Sequence, residues 1–152
     1  MAKASELHTQ LVEELKAFDP SGDFLTQCVF QPLPKLFSDK SVAAGGNVMG
    51  VERQSGAGIL FLAVVMMKTK EGEAFAYPKV KAWVKAVKDF AATIEGGNHE
   101  WTYLNYADQS QDPLASYGAE NIQKLKDAAE KFDPNQVFQK LCPGGFKISA
   151  VA

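Results

Sequence analysis

The chain has 152 residues, 46% of them hydrophobic, which suits one globular domain over residues 1–152 that folds without a covalent or metal staple. Its 16 basic and 18 acidic residues leave a net charge of -2 with no block of like charge, which argues against nucleic acid as a partner. The most apolar run, residues 59–67, is far shorter than the roughly 20 residues of a membrane helix, and the N-terminus has no apolar signal core, so a soluble, cytoplasmic protein is expected.

Leu7, Leu11, Val12, Leu15 and Phe18 recur at helical spacing, which predicts a first helix with Ser5 as its N-cap, ended by Asp19-Pro20-Ser21-Gly22. Residues 24–33 are rich in aromatic and β-compatible side chains and close on Pro32 and Pro34, so they read as a strand whose prolines favour a sheet edge or a strand end. A second strand is expected over residues 48–54, turned by Ser55-Gly56-Ala57-Gly58 into a third over residues 59–68, as an antiparallel hairpin. The third strand is apolar at nearly every position, which predicts cover on both faces.

Residues 77–94 carry Val80, Trp83, Val84, Val87, Ala91 and Ile94 on one stripe, with Pro78 in the first turn and Gly96-Gly97 as the stop. Residues 101–106 read as a strand and residues 107–116 as a polar loop. Ile122, Leu125, Ala129 and Phe132 stripe a last helix that Asp133-Pro134 terminates. The expected topology is α-β-β-β-α-β-α, an α+β two-layer sandwich whose antiparallel sheet is covered by helices on one face. Its uncovered face predicts sheet-to-sheet pairing in a homodimer, with a cavity between sheet and helices.

Cys28 and Cys142 have neither the spacing nor the number to define a disulfide framework and read as free, mostly buried thiols. With His8 and His99 they show no metal-ligand spacing, so no metal is expected. There is no nucleophile elbow, P-loop or dinucleotide fingerprint, since Gly45-Gly46-Asn47-Val48-Met49-Gly50 opens a predicted strand instead of a helix. Met49, Phe61, Met66, Met67, Trp83 and Trp101 supply soft, aromatic surface suited to an apolar small molecule, or simply to a core.

Residues 101–147 combine Tyr103-Leu104-Asn105-Tyr106-Ala107-Asp108, Ser116-Tyr117-Gly118 followed by Asn121, Phe132-Asp133-Pro134 and Pro143-Gly144-Gly145-Phe146-Lys147. This stretch resembles the C-terminal, substrate-side part of fungal berberine-bridge-enzyme-like, FAD-linked oxidoreductases. The resemblance implies that Tyr106 matches a tyrosine serving as catalytic base in several members and that Asn105 matches a flavin-contacting position. It also implies that the loop at Asp108 shapes a pocket mouth, and that Tyr117 packs at a helix start. Strand alternation sends Leu104 and Tyr106 to one face and Tyr103 and Asn105 to the other. A phenol works as an acid or base only if its surroundings lower a reference pKa of about 10. The alternative role for Tyr106 is that of a buried core tyrosine.

The resemblance further implies that the flavin is held by a domain of several hundred residues outside these 152. The expectation is therefore an enzyme without a cofactor, a cyclase or isomerase of fungal secondary metabolite biosynthesis acting on an apolar intermediate. In it Tyr106 moves the proton, while Trp101, Tyr103, Leu104, Asn105 and Asp108 hold the substrate. Two alternatives stand beside it. One is half of a split FAD-linked oxidoreductase acting with a separate flavin-binding subunit, and the other is a non-catalytic binding or assembly partner.

Overall fold

The computed structural model describes residues 1–54 and 56–151. In chain order the elements are α1 (Ala2–Phe18), β1 (Phe24–Leu33), α2 (Lys35–Ala43), β2 (Gly58–Met67), α3 (Lys70–Ala92), α4 (Ala119–Phe132) and α5 (Val137–Lys140), with 3-10 turns at Val51–Arg53, Leu104–Tyr106, Ala115–Tyr117 and Ile148–Ala150. The fold is α+β, with an antiparallel sheet of two strands, β1 and β2. Asp23, just before β1, pairs with Lys68, just after β2, at 2.6 Å, and the rings of Phe30 and Phe61 lie 5.8 Å apart; one antiparallel register accounts for both. Two compact units are formed, one by Met1–Pro32 with Ile59–His99, the other by the described residues of Leu33–Gly58 and Glu100–Ala152.

In the first unit α1 and α3 lie on one face of the sheet. Leu11, Leu15, Ala76 and Trp83 are buried, and Leu7, Phe24, Cys28, Phe61, Ala63, Val65 and Met67 pack against them. Phe61, Ala63, Val65 and Met67 alternate along β2, so Leu60, Leu62, Val64 and Met66 point to the opposite face. Trp83 is the hub. Its indole N–H donates to the Ala4 carbonyl at 3.2 Å, His8 stacks on it at 4.9 Å, and Phe61 meets it edge-on at 5.4 Å. His8 in turn makes a 2.9 Å hydrogen bond with Thr26 of β1, so one aromatic cluster ties both helices to both strands.

α1 begins at Ala2, with Ser5 inside it instead of capping it. α3 begins seven residues before the predicted start, because Thr69 caps it by accepting from the Gly72 N–H at 3.0 Å and Glu71 and Glu73 favour its positive end. Pro78 therefore lies inside the helix, where it has no N–H to donate to the backbone ladder.

The predicted strand over residues 48–54 is not formed. Asn47 accepts the Met49 N–H at 2.8 Å, Gly50 takes a left-handed φ of 73°, and a 3-10 turn follows. β2 pairs instead with β1, across α2, a helix the sequence pattern did not announce because Leu36, Phe37 and Val42 all face solvent. The predicted turn opens on Ser55, which lies outside the described residues. Cys28 is half-buried in the first core, and burial pushes its thiol up despite a hydrogen bond with Ser5; Cys142 is exposed, contrary to the expectation of two mostly buried thiols.

The hub role of Trp83 has a measurable consequence. Trp83→Ala should cost about 3–5 kcal/mol in denaturant unfolding, the loss typical of a buried indole. A change below about 1 kcal/mol would show that α1, α3 and the sheet are held together by something else.

Candidate functional site

The second unit is built mainly from turns, and its backbone is satisfied by side chains. The Trp101 indole N–H donates to the Met49 carbonyl at 2.8 Å. The Thr102 N–H donates to the Ser116 hydroxyl at 3.0 Å, which itself donates to the Pro113 carbonyl at 2.6 Å. Arg53 bridges the two loops, with Nη2 donating to the Ser116 carbonyl at 2.5 Å and Nε to the Gly50 carbonyl at 3.3 Å. The guanidinium lies flat against Gly118, where a Cβ would come within 2.6 Å of Nη1, and Gly118 has a φ of 89°, so a residue with a side chain fits neither the space nor the conformation.

The predicted strand over residues 101–106 is replaced by an extended segment running into the 3-10 turn Leu104–Tyr106, closed by the Tyr106 N–H donating to the Tyr103 carbonyl at 3.0 Å. This geometry reassigns the faces. Positions three apart eclipse in a 3-10 turn, so Tyr103 and Tyr106 come together, ring edge to ring face at 4.9 Å, where alternation had parted them. Leu104 leaves Tyr106 and packs against the core of Leu114, Tyr117 and Ile122. The Asn105 amide donates to the Tyr103 hydroxyl at 2.9 Å. Trp101 stacks between Tyr103 at 5.8 Å and Tyr117 at 6.5 Å. Tyr106 is 41% exposed, so it is not a buried core tyrosine. The Asp108 carboxylate accepts from the N–H and hydroxyl of Ser110 at 2.9 and 2.6 Å, a local turn that holds the loop.

The residues proposed for an apolar pocket fill two cores: Phe61, Met67 and Trp83 the first, Met49 and Trp101 the second, while Met66 is exposed. A cleft of about 340 Å³ opens beside the N-terminus of α4, lined by Glu52, Arg53, Tyr117, Glu120, Asn121 and Lys124, and none of the residues from Trp101 to Asp108 reaches it. Arg53, Ser116 and Asn121 were absent from the candidate set, and the paired glycines at 50 and 118 are the signal that could have placed a bulky cation between the loops. Among the described residues no group of three or more His, Cys, Asp or Glu is arranged to hold a metal ion, and no helix is long and apolar enough to cross a membrane.

FAD requires donors for a pyrophosphate and a slot for a flat tricyclic ring. The cleft at α4 sets the Glu52 and Glu120 carboxylates beside Arg53 and Lys124, with Lys124 paired to Glu120 at 2.8 Å, and Tyr106 of the turn Leu104–Tyr106 is exposed.

The fold makes the Tyr117 phenol less acidic. Burial raises its pKa above 10.0, a hydrogen bond with the Leu104 backbone pulls it down less strongly, and the charge of a neighbouring Tyr103 phenolate would raise it further. A folded-state pKa above the unfolded value means that the neutral phenol's contribution to stability is complete below about pH 10 and lost as pH rises through the folded value. Wild-type stability should therefore fall more steeply between about pH 9 and 11 than that of Tyr117→Phe, measured by denaturant midpoints. Parallel slopes would remove Tyr117 as the cause.

No protein-family model and no solved structure matches the chain. Among curated proteins it is 38% identical over 147 residues to the FAD-dependent monooxygenase drtC of Aspergillus calidoustus, covering 97% of this chain and 28% of that protein. It is 36% identical over 126 residues to the FAD-dependent monooxygenase sdcF of Emericella nidulans, covering 83% and 26%. A shorter match, 54% identical over 46 residues, covers 30% of this chain and 9% of the bifunctional solanapyrone synthase of Alternaria solani. The chain spans about a quarter of the length of the FAD-dependent monooxygenases it matches, and over nearly all of its own length it is similar to that quarter.

Proposed function

We propose that this chain is the substrate-facing portion of a berberine-bridge-enzyme-like, FAD-linked oxidoreductase of fungal specialised metabolism, acting with a flavin-binding polypeptide that its own residues do not provide. The match to drtC over 97% of the chain carries this reading, because it runs through both compact units and leaves the rest of that protein to hold the cofactor. Flavin supplies electron transfer when bound; this chain's share is to place and protonate the substrate. The turn at Leu104–Tyr106 suits that share. It presents Tyr106 to solvent, braced by the Tyr103 ring, with the Asn105 amide beside the Tyr103 hydroxyl as a polar pair for orienting a carbonyl or hydroxyl of an apolar substrate.

A second reading is a cofactor-independent cyclase or isomerase in which Tyr106 gives or takes the proton unaided. It is favoured by the 54% match to a protein whose name describes a bifunctional synthase and not a monooxygenase. A chain that only binds or assembles is the reading left if neither activity is found.

Replacing the matched segment of drtC by this chain tests the first reading. The chimera should load flavin and oxidise the drtC substrate, and Tyr106→Phe within it should lower turnover by roughly ten- to a thousandfold at unchanged melting temperature. Conversion of a metabolite by the chain without flavin would instead establish the second reading. An unchanged rate in the Tyr106→Phe chimera would remove Tyr106 from the chemistry.

A further inference from the structure

We infer that Arg53 is a positioning residue for the turn Leu104–Tyr106: its guanidinium fork fixes the spacing of the two loops that anchor Trp101 and Thr102, and with it the place at which Tyr106 meets a substrate. This inference rests on the function proposed above.

The segment that enters the turn is anchored at two points. The Trp101 indole N–H donates to the Met49 carbonyl at 2.8 Å, and the Thr102 N–H donates to the Ser116 hydroxyl at 3.0 Å. Arg53 ties together the residues that carry these anchors. Its Nε donates to the carbonyl of Gly50, next to Met49, at 3.3 Å, and its Nη2 donates to the carbonyl of Ser116 itself at 2.5 Å. Tyr103 follows Thr102 directly, and the Tyr106 N–H closes the turn on the Tyr103 carbonyl at 3.0 Å. A change of loop spacing at Arg53 therefore reaches Tyr103 through the backbone, and Tyr106 through the turn and the ring contact at 4.9 Å.

The gap between the loops is shaped for a planar fork. A Cβ on Gly50 would come within 2.7 Å of the Tyr117 carbonyl and 2.9 Å of Arg53 Nε, and one on Gly118 within 2.6 Å of Nη1. With φ of 73° and 89°, the two glycines supply both the space and the backbone conformation that bound the guanidinium. Among the described residues its hydrogen bonds go to main-chain carbonyls and none to a carboxylate, although Glu52 and Glu120 line the same cleft. The contact thus uses the geometry of the donors. A lysine, a single point charge on a flexible stem, reproduces neither the plane nor the two-point grip. Misplacing a reacting group by about 1 Å can cost roughly a hundredfold in rate, so the loop spacing that Arg53 sets is a kinetic quantity.

Turnover of the drtC chimera is the first test. Arg53→Lys should lower it at least about tenfold, whereas the same substitution in the Tyr106→Phe background should cost less than about twofold, because the effect passes through the Tyr106 hydroxyl. Guanidinium at about 50 mM should raise the turnover of Arg53→Ala at least about threefold and leave that of Tyr106→Phe unchanged. In the isolated chain, Arg53→Lys should speed hydrogen exchange of the Thr102 amide at least about tenfold. A wild-type rate in the Arg53→Lys chimera overturns the inference and leaves the proposed function standing. An equal loss in both backgrounds, the mark of a purely structural brace, does the same, as does unchanged exchange at Thr102. A chimera that does not turn over the drtC substrate with Arg53 in place overturns both.

Discussion

β2 is apolar on both faces, and α1 and α3 pack against only one of them. That constraint governs the first unit. With just two strands, the sheet cannot close on itself, so α1 and α3 must both lie on one side, and Trp83 joins them by satisfying its N–H on Ala4 while its ring meets Phe61 and His8. What remains is a face bearing Leu60, Leu62, Val64 and Met66 that water does not favour, and burying such surface is worth roughly 25 cal/mol per Å².

The second unit depends on a different economy of structure. With only 3-10 turns as regular structure among its described residues over 44–57 and 100–118, its backbone groups find side chains instead: Trp101 to Met49, Thr102 to Ser116, Arg53 to Gly50 and Ser116, Asn121 to Tyr117. Stacking of Tyr103, Trp101 and Tyr117 continues that lacing, and places Tyr106 at the exposed end of an aromatic series whose inner member, Tyr117, is buried. The exposed Tyr106 is thus linked through Tyr103 and Trp101 to the buried Tyr117.

The elements with long, regular apolar patterns were legible in the sequence. β1 has the bounds read from its aromatic run and its prolines, β2 is displaced by a single residue, and α4 ends at Asp133 as its Asp-Pro pair indicated. The α+β class followed from them. The failures share a cause. Residues 48–54 and 101–106 have strand-like composition, but each is captured by local or loop-to-loop hydrogen bonds that no periodicity encodes, through Asn47 and Arg53 in the first case and Trp101 and Ser116 in the second. The Tyr103–Tyr106 pair was found by resemblance, whereas its orientation was misread because alternation was applied where a 3-10 turn forms. α2 was missed because a helix with Leu36 and Phe37 in solvent has no buried stripe to announce it.

The central claim is that the chain faces the substrate and leaves the flavin to another polypeptide stretch. The most direct measurement is a titration of FAD with the isolated chain, followed by flavin fluorescence. The account predicts no saturable change up to about 100 µM, an affinity weaker than about -5.5 kcal/mol. Stoichiometric binding at low micromolar concentration would contradict it, because the cofactor would then be held by the residues of this chain alone.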